Sequence, residues 1–166
     1  NSRNCLVNPE DVRDMKLIDV GGFSEDGRLV SDLALIESDV KLCLMATEAD
    51  AAGLLDLHSP SLKTWFQAES HALSVAGKKR DFTVDTDAAP IAKDPAVARA
   101  YRIINRVRER AKEVCGDWDP EGRHYFAALL YWTLNSLRFD TIRPTKKLRA
   151  IYSASEILRR FSNAGA

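Results

Sequence analysis

The chain is poor in the residues that most often carry chemistry. Its 166 residues include three cysteines and three histidines. Cys5, Cys43 and Cys115 are odd in number, widely separated and without paired spacing. That excludes a disulfide framework and fits free, mostly buried thiols in a reducing compartment. His58, His71 and His124 make no short ligand pair with each other or with a cysteine. The nearest pair, Cys115 and His124, is separated by a turn, so no metal is expected. Also missing are a strained serine elbow and a glycine loop that could cradle phosphate. The scattered carboxylates define no acid–base pair, and an enzyme is not expected. No apolar run approaches the ~18 residues of a membrane span. The longest, "YFAALLYWTL" at 125–134, reads as a buried helix. No secretory leader is legible, although the chain opens on Asn1. Neither an alternating strand pattern nor an internal repeat is visible.

What is present is an ordinary globular composition, 45% hydrophobic and 29% charged, long enough for one domain or two small ones. The formal net charge is zero, which argues against a simple nucleic-acid binder. The zero is a sum of unlike parts. Residues 1–50 carry 5 basic and 11 acidic side chains, a net of −6, and residues 51–100 balance at 6 and 6. Residues 101–166 carry 13 and 7, a net of +6. A bipolar subunit can hold an anionic partner with one end or stack head to tail on its own copies.

The periodicity predicts an all-α fold made of two packed helical subdomains. Residues 1–76 form the first, 77–95 a linker and 96–166 the second. In the first, a helix is expected from Ser31 or Asp32 and another after Pro60, with Ser59 or Ser61 as N-cap. The stretch "GKKRDFTVDTDAAPIAKDP" reads as the linker, with room for one short helical turn. The next helix, 96–115, should close at Gly116. Another over 121–139, capped by Asp117 or Asp119, is apolar nearly all round and should be central to its subdomain. The last stretch, after Pro144, is expected as two short helices, because Ser153 and Glu156 have capping-box spacing.

The strongest pattern lies in "RAYRIINRVRERAK" at 99–112. Arg99, Arg102, Arg106 and Arg110 share an arc roughly 80° wide on a helix. Val97, Ala100, Ile103, Ile104, Val107, Ala111 and Val114 gather opposite, while Arg108 and Lys112 fall on other faces. Lys78, Lys79 and Arg80 precede the linker and would join the stripe if the linker folds back. Such patches attract phosphate polymers and acidic headgroups alike, and weaken as salt rises. Glu109 and Glu113 are placed to pair along the helix and blunt the stripe.

Between residues 55 and 140 the order of segments resembles the amino-terminal region of orthomyxovirus (influenza-type) matrix proteins. "SPSLKTWFQAESHALSV", "GKKRDF", a proline-containing spacer, "DPAVARAYRIINRVRERAKE" and an apolar helix follow one another at similar lengths. The similarity is serial and of low identity, as for a distant member of the thogotovirus or isavirus kind. The family's arginine triplet matches Lys78, Lys79 and Arg80, with Asp81 inserted before Phe82. Its Arg-Lys-Leu-Lys-Arg cluster falls on Arg102, Ile103, Ile104, Asn105 and Arg106. The two lysines are therefore lost, and Arg99 and Arg110 extend the stripe instead. The family's Cys/Cys/His/His motif would fall in "IYSASEILRRFSN", which has neither residue type.

The resemblance implies a structural protein that self-assembles beneath a viral envelope and bridges acidic phospholipid and ribonucleoprotein or RNA. Lys78, Lys79, Arg80, Arg99, Arg102, Arg106 and Arg110 would form the lipid- and RNA-binding surface, with no cofactor. It implies a place at the inner face of the virion envelope, in host cytoplasm and at the plasma-membrane inner leaflet, with the nucleus as a further compartment. Family layers loosen on acidification, and His58, His71 and His124 titrate in that range. Two other readings remain open: a cellular or phage helical regulator that binds nucleic acid, and a helical adaptor whose basic end docks on an acidic protein.

Overall fold

The computed structural model describes residues 5–7, 15–17, 29–44, 59–79, 83–116, 119, 121–140 and 142–163. The fold is all-α. Among the described residues six α-helices carry it: α1 (Leu29–Asp39), α2 (Pro60–Lys79), α3 (Ala89–Ala92), α4 (Pro95–Cys115), α5 (Arg123–Asn135) and α6 (Pro144–Asn163). A π-wound turn, Val40–Leu44, continues α1, and a 3-10 turn, Ser136–Arg138, ends α5. A short antiparallel pair, β1 (Cys5–Val7) and β2 (Met15–Leu17), sets Cys5 opposite Leu17. Strands of three residues are too short to show alternation, so the sequence gives no sign of them.

Local chemistry explains most of the boundaries. Asp94 accepts from the backbone N–H groups of Ala96 (2.8 Å) and Val97 (3.2 Å), and Pro95 opens α4 with a φ already suited to a helix. Gly116 closes it at φ +50°, where a side chain would be strained, and donates its N–H to Lys112. Ahead of α5, Asp119 accepts from the N–H groups of Arg123 (2.8 Å) and His124 (2.9 Å). The expected single turn in the linker is α3. Gly77 does not break α2, which runs to Lys79.

The expected break near Ser153 is absent, and α6 is continuous. Ser153 is buried and its hydroxyl donates to Glu69 on α2, so it serves a neighbouring helix and caps none. The helix at 121–139 is also less central than its composition suggests. Tyr125, Phe126, Leu129 and Thr133 are buried in α5, but Tyr131 and Leu134 face outward.

Two apolar clusters form the core, and neither follows the expected division into 1–76 and 96–166. One joins Trp65, Ala68 and Ala72 of α2 to Val84, Ile91 and the Val97–Ile104 part of α4. The other joins Val30, Leu33 and Ala34 of α1 to Ala111, Tyr125, Phe126, Leu129 and Ile157. Helix α1 packs on α4 and α5, while α2 packs on α6. The two halves of the chain interleave, because each has helices with apolar faces that only the other half covers. Among the described residues no helix is long and apolar enough to cross a membrane.

Candidate anion-binding face

Helix α4 presents its arginines as its spacing predicts. Arg99, Arg102, Arg106 and Arg110 are all exposed, and the Arg106 side chain keeps 85% of its surface in solvent. Pairing inside the helix is uneven. Arg106 meets Glu109 at 3.2 Å and Arg110 meets Glu113 at 2.5 Å. Both are exposed i,i+3 pairs, worth a few tenths of a kcal/mol and easily displaced by a competing anion. Arg102 donates from Nε to the Ala98 carbonyl at 3.3 Å, which leaves its terminal amino groups outward. Among the described residues neither Arg99 nor Arg102 has an acidic partner.

These side chains border an open depression of about 630 Å3 between α4 and the segment before α3. Arg99, Arg102, Arg106, Thr86, Asn105 and Glu109 line it. Asn105 fixes its floor by accepting from the Val84 N–H at 2.8 Å and donating to Glu109 at 3.1 Å. Ile103, assigned to the apolar side by spacing, is 42% exposed beside the depression. The arrangement holds several guanidinium groups toward one open space. It can bind phosphate or carboxylate groups by charge-assisted hydrogen bonds.

Of the other expected basic residues, Lys78 and Lys79 lie in the last turn of α2. Arg80 and His58 fall outside what the structure describes, as do the side chains of Lys78, Lys79, Cys5 and Cys43. The Cys115 thiol is buried, and burial with Asp119 nearby raises its pKa to about 11, so it is a neutral thiol at physiological pH. His124 is exposed, with Nδ1 3.5 Å from the Asp119 carboxylate. No group of three potential ligands is placed to hold a metal among the described residues.

Behind the stripe lies a charged network that spacing did not reveal. Arg108 is fully buried and grips Glu37 of α1 with two hydrogen bonds, from Nε at 2.8 Å and from Nη2 at 2.7 Å. Its Nη1 donates to the Ala72 carbonyl of α2 at 3.2 Å. Lys41, in the π-wound turn, bridges Glu37 (2.7 Å) and Glu69 (2.8 Å). The Tyr125 hydroxyl donates to Glu37, and those of Tyr101 and Ser153 donate to Glu69, each at 2.5 Å. Two carboxylates and two cations thus balance inside the core.

Burial and the neighbouring charges decide the protonation states. Burial pushes the Glu37 carboxyl up, but Arg108 and Lys41 outweigh it and hold it well below the usual range. Burial and the adjacent Glu69 raise Tyr101, while burial and Glu37 raise Tyr125, so both remain hydroxyl donors. The network fixes α4 against α1, α2, α5 and α6 and thereby sets which face of α4 meets solvent. One signal for it was available. Arg108 is about 180° from Arg99 at 100° per residue, in the middle of the apolar side.

No protein-family model matches the chain, and neither does any curated protein or solved structure.

Proposed function

We propose that the protein is a matrix-type structural protein that assembles beneath a viral envelope, binding acidic phospholipid through the arginine face of α4. The single observation behind this reading is the set of four exposed arginines on one face, of which Arg99, Arg102 and Arg106 line an open depression and Arg99 and Arg102 have no acidic partner among the described residues. Acidic headgroups present the phosphate and carboxylate groups that guanidinium recognises, and each cation near such a surface contributes about 1 kcal/mol. RNA within a ribonucleoprotein offers the same phosphate chemistry to the same face. The serial resemblance over residues 55 to 140 supports the assignment to a matrix layer.

Vesicle co-sedimentation tests the reading. The wild-type protein should pellet with phosphatidylserine-rich vesicles at low salt and remain in solution with neutral ones. A variant with Arg99, Arg102, Arg106 and Arg110 replaced by Ser should lose most of its low-salt pelleting with the acidic vesicles. Wild-type protein that ignores acidic vesicles, or a variant that pellets as well as wild type, overturns it.

A further inference from the structure

A second surface lies at the corner where α5 gives way to α6. Tyr131 and Leu134, one helical turn apart, are 59% and 44% exposed, and Phe139 just beyond them is 55% exposed. Backbone turns among the described residues shape this corner. Phe139 N–H donates to Ser136 O at 3.3 Å, and Ile142 N–H donates to Phe139 O at 3.2 Å. Lys146 and Lys147 then close on Arg143 O as α6 begins, at 3.0 and 3.1 Å. Successive turns therefore hold a large aromatic ring out in water, against its transfer free energy.

The polar residues around it are of nearly one sign. Residues 131–147 contain Arg138, Arg143, Lys146 and Lys147 against a single acid, Asp140. Arg138 is steadied by Asn135 at 3.1 Å, and none of the four cations makes an ion pair among the described residues.

We infer that this corner inserts into an acidic bilayer. Tyr131, Leu134 and Phe139 enter the boundary between headgroups and acyl chains, and Arg138, Arg143, Lys146 and Lys147 hold the surrounding phosphates. Aromatic rings favour that depth, and long basic side chains reach from it to the headgroups. The charge selects this occupant: a cationic rim around apolar side chains complements an anionic surface with an apolar layer below it. The inference shares the membrane partner of the proposed function but rests on different residues. Binding then has two parts, a salt-sensitive one from the α4 arginines and the corner's cations and a salt-resistant one from the corner's apolar side chains.

The test is co-sedimentation with phosphatidylserine-rich vesicles at about 0.1 M and about 0.5 M salt, where the Debye length falls from about 10 Å to roughly 4 Å. Wild type, the four-arginine variant and a Leu134→Ser/Phe139→Ser variant are compared, with thermal melts to establish that each is folded. The corner variant should lose the binding that survives high salt, by about tenfold or more. In a Phe139→Trp variant, vesicles brominated high on the acyl chain should quench the added fluorescence. Corner-variant binding equal to wild type at both salts overturns the inference while leaving the arginine reading intact. Loss in the corner variant alone sustains the inference and overturns the arginine reading. Unchanged vesicle binding with weakened self-association in sedimentation velocity overturns it in favour of a second copy. Wild-type protein that binds no vesicles overturns it outright.

Discussion

At the residue scale, Arg108 and Arg106 show how one helix uses the same side chain in opposite ways. Arg106 stands in solvent, where its pair with Glu109 contributes little to stability. Arg108 is buried with each of its three nitrogens hydrogen-bonded, to Glu37 or to the Ala72 carbonyl, and its guanidinium lies over the Phe126 ring at 5.3 Å. Removing Arg108 leaves Lys41 alone between two buried carboxylates, so the core carries one uncompensated negative charge. Arg108→Met should therefore cost about 3–5 kcal/mol in urea unfolding. A double Arg108→Met/Glu37→Leu variant should recover part of that loss, since no charge is then left unpaired. A single variant as stable as wild type would show that the charges are not buried as described.

The same residues set a pH dependence. Glu37 ordinarily titrates at 4.5 and is held lower in the folded protein, so the unfolded chain takes up its proton first as acid is added. Its contribution is complete above pH ~4.5 and is lost as the pH falls from there toward the folded value. Between pH 7 and pH 5 it is constant. Chemical denaturation at fixed pH should show no loss from this network over that interval, and Glu37→Gln should flatten the decline below it. A network that fails near pH 6 would contradict the assignment.

At the scale of elements, much of the organisation was legible. Asp94 with Pro95 and a final Gly116 mark α4 because capping and backbone preference act within a few residues. Asp94→Ala should lower stability by about 1 kcal/mol, measured by thermal or urea unfolding. The stripe was readable for the same local reason, since a 3.6-residue period needs no tertiary knowledge. The misses were tertiary. The Ser153–Glu156 spacing is that of a capping box, but a buried carboxylate on α2 claims the serine hydroxyl. Composition placed all of α5 at the centre, but only the face toward α1 and α6 is covered. Arg108 could have been found from its angle on the wheel. Its partners could not, because Glu37 and Glu69 lie on separate helices whose packing no local pattern specifies.

For the whole molecule, the opposed ends of the chain are joined by interleaving. The negative first segment contributes α1, which packs against α4 and α5 of the positive last segment, and two clusters bind both halves into the core. All-α architecture was legible from periodicity alone. The exchange of helices across the 77–95 boundary was not, since an apolar face shows only that it must be covered. The interleaving has a consequence for function: α4 is clamped from several sides, so its outward face is a rigid array of cations.

The most direct test of the central claim is the salt dependence of binding to phosphatidylserine-rich vesicles, measured for wild type and for the four-arginine variant. If the face of α4 holds the acidic surface, wild-type affinity falls steeply with log salt. The variant loses most of that slope along with its low-salt affinity, while its melting temperature stays close to that of wild type. Equal slopes and equal affinities for the two proteins would show that the arginines of α4 do not face the membrane.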